Sequence, residues 1–342
     1  MNAVMVRFAV RFMVLVVLAW GGGVSLGQGT PRVRFTTDWA WQGVYAAYPL
    51  AQAEGYYAEE GLSVVIDRGY GSADAVAKVA AGAYDFCVAD LGVLVEFLAT
   101  QPDARLTAVA IIYDYSPLTI LTVRGRGISS PQDLKGKKIA APEGAAARRM
   151  FPAFAKVVGL DPASVAWVTV TAPLREPMLV EGRADATAAF LDAVITLQAL
   201  GVPADEIVTF HYPAYGLEFY GLALVTTKKL VEEKADVVRK FTRATVRGWL
   251  LAIRDPRKAV AVLKQVDPLI DENVELARLN LAIERLIYTP WTAEYGFGGV
   301  SKERLQQHVD LVVQTLGLPK KPALDDVFSE GFLPPLPERT LP

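Results

Sequence analysis

Cysteine is almost absent from this chain of 342 residues: Cys87 stands alone, so no internal disulfide can form. Histidine is nearly as scarce. His211 and His308 complete the count, which excludes a Cys/His metal cluster and leaves little for nucleophile–histidine catalysis. An excess of one charge is also lacking: 35 basic residues against 37 acidic give a net charge of −2, so nothing invites a polyanion and no nucleic-acid partner is expected. No P-loop is present, and no metal or cofactor is called for. What is there, at 52% apolar and 21% charged residues, is ordinary globular composition with chain enough for two domains.

Long hydrophobic runs are missing with one short exception. Arg7 and Arg11 precede an apolar run from Phe12 to Trp20, followed by Gly21-Gly22-Gly23 and Val24-Ser25-Leu26-Gly27. A positive start, a short apolar stretch and a small-residue exit describe a secretory leader. The run falls short of the ~20 residues that a bilayer-spanning helix needs. Residues 1–27 are therefore read as a signal peptide cleaved near Gly27–Gln28, and the mature chain as a periplasmic monomer.

From residue 33 the chain alternates strand and helix. Short β-rich runs at 33–37, 62–66, 86–89 and 106–113 are separated by helical stretches that end at Gly55 and Gly82, as glycine-capped helices do. The pattern restarts at 118–123, 139–141, 165–170, 186–191, 207–210 and 219–225, with one helix expected over 145–158. Such alternation predicts an α/β chain of parallel βα units covered on both faces. After Thr227 the chain turns helical. Val237, Val238, Phe241, Thr245, Trp249 and Ile253 form one apolar stripe, ended by Pro256. The tail from Pro319 reads as extended surface chain.

Two doubly wound lobes follow, joined by a two-strand hinge where the chain crosses near 113–118 and 215–221. Lobe 1 takes residues 31–115 plus 219–342, and lobe 2 takes 116–218. In open parallel sheets ligands sit beyond the carboxyl ends of the strands, and those turns are aromatic and acidic here. Trp39, Trp41 and Tyr45 offer flat faces for stacking. Asp38, Asp90, Asp114, Glu143 and Asp192 offer acceptors for ring N–H or amino groups. Ser72 and its following N–H groups form an anion nest, and Arg68, Arg148 and Arg175 are the nearby cations. Tyr113, Tyr115 and Tyr215 lie at the crossings. Each has a structural competitor: Ser72, Asp90 and Asp192 suit helix N-caps, Trp39 and Tyr45 suit caps of the sheet, and Tyr113 and Tyr115 suit hinge packing. Cys87 and His211 read as structural.

The segments TDWAWQGVYAA, AEGYYAEEGLSVVI, GSADAVAKVAAGAYDFCVAD and DLKGKKIAAPEG resemble the periplasmic solute-binding proteins of ABC importers. The similarity spans residues 33 to 316 and is greatest to the branch of thiamine-pyrimidine-precursor, sulfonate and nitrate binders. It implies a type II periplasmic-binding fold that closes on its ligand like a hinge. Asp38-Trp39, Gly43-Val44-Tyr45 and Phe190-Leu191-Asp192 match features of the pyrimidine binders. Trp41-Gln42 and the loop Glu143-Gly144-Ala145-Ala146 depart from them. The resemblance implies a non-enzymatic receptor that captures a small heteroaromatic compound, a thiamine pyrimidine precursor before others, and delivers it to an ABC permease in the inner membrane. Alternatives are another flat heterocycle such as a flavin, a small sulfonate-type anion or, less favoured, an enzyme on the same fold.

Overall fold

The computed structural model describes residues 30–342; the leader read over residues 1–27 lies outside the described residues. Ten strands alternate with helices: β1 Arg32–Thr36, β2 Ser63–Asp67, β3 Phe86–Asp90, β4 Leu106–Ile111, β5 Leu118–Val123, β6 Lys138–Ala141, β7 Ala166–Thr169, β8 Ala186–Phe190, β9 Ile207–His211 and β10 Leu222–Thr227. They form two five-stranded sheets, ordered β2-β1-β3-β10-β4 and β7-β6-β8-β5-β9.

Neither sheet is wholly parallel, in contrast to the expectation from the alternation of elements. β1 runs parallel to β2 and β3, with Val33 opposite Val64. β10 runs antiparallel to both neighbours, with Leu224 opposite Val88 on β3. In the second sheet β5 is antiparallel to β8 and β9. The direction follows from the path of the chain. After β4 the chain passes to the second sheet through residues 112–117 and returns through 212–221. A strand that re-enters a sheet from the far side of a crossing meets its neighbours head-on.

Proline and aspartate correct two further expectations. The helix read over 145–158 is split into Ala146–Arg149 and Phe151–Val157. Pro152 supplies no N–H and is accommodated only in a first turn, so the second helix starts afresh beside it. The long helix Ala235–Arg254 does stop before Pro256, but Asp255 caps a new helix, Pro256–Val266, by accepting from the Lys258 N–H at 3.0 Å. The tail is not a bare surface chain: Val327, Phe328 and Phe332 are buried, and Phe328 bridges to Ala108 beside the first sheet.

The apolar stripe of helix Ala235–Arg254 seals one face of the first sheet. Val238, Phe241, Thr245, Trp249 and Ile253 are buried, while Val237 is half-buried. The Phe241 ring stacks on Phe86 at 4.2 Å and on Tyr57 at 5.3 Å. Trp249 meets Tyr48 and Tyr113 edge-on at 5.8 and 6.1 Å. Such close-packed aromatic contacts relax little when a ring is deleted. Phe241→Ala is expected to lower unfolding free energy by about 3–5 kcal/mol in chemical denaturation; a loss below about 1 kcal/mol would mean that this helix is not the anchor of the first sheet.

Candidate functional site

β1 ends at Thr36, and the next turn is folded by Thr37, whose Oγ1 donates to the Trp39 carbonyl at 2.8 Å and accepts from the Gly69 N–H at 3.1 Å. That turn sends Asp38 inward. Its carboxylate is buried and accepts from the Tyr45 hydroxyl at 2.8 Å and from Ser72 Oγ at 2.6 Å. Ser72 in turn accepts from the Asp90 N–H at 3.1 Å. Its hydroxyl is therefore not a helix cap, for the helix Ser72–Ala80 carries no side-chain cap. The Ala73 N–H donates to the Gly144 carbonyl of the second half at 3.2 Å. Two donors of the nest read at Ser72 are thus used from within, the hydroxyl by Asp38 and the Ala73 N–H by a backbone carbonyl.

A small cavity opens between the two halves. Asp38, Trp39, Gln42, Tyr45 and Ser72 line it from the side of the first sheet; Ala145, Ala146, Ala147, Arg175, Ala188, Ala189, Phe190 and Asp192 line it from the second. The alanines matter through size, since larger side chains there would fill the space. Gly71, with φ +134°, lets the walls approach: a Cβ on it would come within 2.6 Å of the Gly144 carbonyl.

Charge is shared across the same seam. Asp192 stands before the helix Ala193–Ala199 without capping it. Its Oδ2 instead accepts from Arg278 Nη1 at 3.3 Å, and Arg278 Nη2 donates to Thr196 Oγ1 at 2.7 Å. Arg278 also pairs with Glu275, whose Oε2 accepts from the Gly43 N–H at 2.6 Å. Arg175 pairs with Glu176 at 2.6 Å, and its guanidinium lies over the Trp39 ring at 4.8 Å. All six charged side chains, Asp38 included, are buried, and the four carboxylates outnumber the two guanidiniums.

The expected site residues divide accordingly. Asp38, Trp39, Tyr45, Ser72 and Asp192 line the cavity; Trp41, Asp90, Tyr113, Tyr115, Glu143 and Tyr215 do not. Half-buried Trp41 packs against the first core. Asp90 caps the helix Leu91–Thr100, its Oδ1 accepting from the Gly92 and Val93 N–H groups. Tyr113 is core, against Trp249. Tyr115 packs by Arg304, and Tyr215 stands edge-on to Phe154. Glu143 is exposed. Asp114 is ion-paired to Arg304 at 2.8 Å and accepts from Thr289. Among the cavity residues the sequence reading named Arg175 only as a possible anion partner. It named Gln42 and Ala145–Ala146 only as departures from the pyrimidine pattern, and it missed Ala188 and Ala189; the AAA and AA runs were the signal for a small-residue floor.

Two carboxyl groups are pushed up. Burial raises Asp38 from 3.8 to about 6, against the lowering bonds of Ser72 and Tyr45, with the Asp192 charge adding to the rise. Burial raises Asp90 from 3.8 to about 8, and its Oδ2 has no hydrogen-bond partner among the described residues. Both hold protons more tightly folded than unfolded, so their contribution is fully present below the ordinary carboxyl range. It is lost as pH rises through about 6 for Asp38 and about 8 for Asp90. Melting temperature is expected to fall as pH climbs across that window. In Asp90→Asn the upper part of the fall should flatten; an unchanged slope would contradict a charge buried at Asp90.

The chain is similar to known proteins at low identity. The formylaminopyrimidine-binding protein of Halalkalibacterium halodurans is 27% identical over 268 residues, 76% of this chain and 79% of that protein. The riboflavin-binding protein RibY of Chloroflexus aurantiacus is 23% identical over 305 residues, 85% of this chain and 82% of that protein. A 4-amino-5-hydroxymethyl-2-methylpyrimidine phosphate synthase of Legionella pneumophila subsp. pneumophila is 21% identical, covering 69% of this chain and 74% of that protein. Among solved structures, the alkanesulfonate-binding protein SsuA from Xanthomonas axonopodis pv. citri superposes with a TM-score of 0.68 at 16% identity, over 88% of this chain and 98% of that one. That likeness shows the fold, an α/β fold shared with periplasmic binding proteins. Residues 42–259 match the family described as NMT1/THI5 like, and the chain belongs to that family.

Proposed function

We propose that the protein is a periplasmic solute receptor for a flat heteroaromatic compound bearing an amino group, a thiamine pyrimidine precursor before others, which it delivers to an ABC permease. The observation that carries this reading is the pair Asp38 and Asp192, one from each half, in a cavity whose charged groups sum to an excess of carboxylates. Carboxylates accept from amino and ring N–H donors in charge-assisted bonds. A sulfonate would need a cation whose charge is not already balanced, whereas Arg278 is paired with Asp192 and Glu275 and Arg175 is paired with Glu176.

Arg175 covers part of Trp39, so a ligand ring shares that face or takes the rest of the indole. A binding role is favoured over catalysis by where the reactive side chains sit. Cys87 is buried on β3, His211 Nε2 is 2.7 Å from the Ser116 carbonyl, and His308 Nδ1 accepts from the Tyr220 N–H; none of the three lines the cavity. Contacts from both halves give the ligand its leverage: it stabilises the closed form by the contacts that exist only there, and the permease reads that form. The leader over residues 1–27 supplies the route to the periplasm, and the boundaries 31–115 plus 219–342 and 116–218 describe the two moving bodies.

A thermal-shift screen of purified residues 28–342 tests the reading. An aminopyrimidine at about 100 times its Kd is expected to add about 2.7 kcal/mol of stability, with smaller effects from riboflavin and an alkanesulfonate. Stabilisation by the sulfonate alone would refute it. Trp39→Ala is expected to weaken aminopyrimidine binding by about 1–3 kcal/mol and Asp192→Asn by about 1.5–3 kcal/mol in isothermal titration; unchanged affinity in both would misplace the site.

A further inference from the structure

The apolar cores of the two halves are joined on one flank of the seam and separate on the other. On the joined flank, helices Leu91–Thr100 and Lys302–Leu316 of the first half pack against Ala146–Arg149 and Phe151–Val157 of the second. Leu94, Val309 and Val312 share one buried cluster there with Met150, Phe151 and Phe154. The walls are close, for a Cβ on Gly92 would come within 3.0 Å of Met150 Sδ. On the other flank, helix Glu272–Ala282 faces Ala193–Ala199. Leu279 and Ala282 belong to the core of the first half, and Ala193 and Leu197 to a separate cluster of the second. What crosses between these two helices is Arg278: Nη1 donates to Asp192 Oδ2 at 3.3 Å and Nη2 to Thr196 Oγ1 at 2.7 Å. Its Nε lies 3.3 Å from Glu275 Oε2 on its own helix, and that carboxylate accepts from the Gly43 N–H at 2.6 Å. Arg278 therefore keeps a carboxylate partner in the first half whether or not it reaches the second.

The two flanks differ in what parting them costs. Separating close-packed apolar side chains gives up their contacts and exposes them to water with nothing in return. Separating a buried ion pair returns both charges to water, and that hydration offsets much of the attraction lost. We propose that the seam opens on one flank only: the halves pivot on the apolar flank, and Arg278 is the latch that holds the polar flank shut. Asp192 lines the cavity, so releasing the latch frees the cavity wall that Asp192 forms. This inference goes beyond the solute reading and does not depend on which solute the cavity takes.

Paired spin labels in residues 28–342 test it without any solute. Cys87 is buried, so labels go to introduced cysteines at exposed positions. Gln198→Cys with Asn273→Cys reports the polar flank, and Val157→Cys with Gln307→Cys reports the apolar one. In double electron–electron resonance, Arg278→Met is expected to lengthen the 198–273 distance by more than the ~1–2 Å of an ordinary helix shift. The 157–307 distance is expected to stay as in the wild type. Because the variant strands the buried Asp192 and Glu275, Arg278→Met with Asp192→Asn and Glu275→Gln serves as the stable counterpart and is expected to show the same split. Lengthening of the 157–307 distance in the stable counterpart would overturn the pivot, and an unchanged 198–273 distance in both variants would overturn the latch. Either failure leaves the aminopyrimidine reading standing, and failure of the wild type to bind an aminopyrimidine would leave the latch standing.

Discussion

The chain has to leave its first sheet and come back, and most of the architecture follows from that one constraint. β10 returns after the excursion and inserts between β3 and β4, against their direction. The insertion ties the two crossing segments to the middle of the first sheet rather than to its edge. Gly221, at the end of the return, accepts from the Leu91 N–H and donates to the Tyr113 carbonyl of the outward crossing, each at 2.9 Å. The two halves therefore face each other across a seam whose walls are strand ends and the turns beyond them, which is where open α/β sheets place ligands.

Electrostatics then determines what that seam accepts. Burying Asp38, Glu176, Asp192 and Glu275 is costly unless each finds a partner. Two guanidiniums, two hydroxyls and a backbone N–H supply them. These same bonds balance the charge of the two guanidiniums. The raised Asp38 carboxyl, at about 6, is what remains of the cost, and a donor on the ligand would offset it.

Much of the fold was legible because strand and helix periods, glycine stops and the restart at residue 118 are local signals. What was not legible depended on partners distant in sequence. The antiparallel setting of β10 follows from the crossing, not from the residues of β10. Asp90 and Ser72 looked alike as caps, and only three-dimensional neighbours separate them: Asp90 caps its own helix, while Ser72 turns to Asp38, distant in sequence. Trp39 and Asp192 were legible as residues at strand ends. Their partners, Arg175 and Arg278, lie far along the chain, and nothing local marks either one as facing the seam.

The central claim is that one small ligand is held by carboxylates from both halves and so draws them together. Small-angle scattering of residues 28–342 with and without a saturating aminopyrimidine tests it most directly. The account predicts a smaller radius of gyration with the ligand bound; an unchanged radius at demonstrated saturation would contradict it.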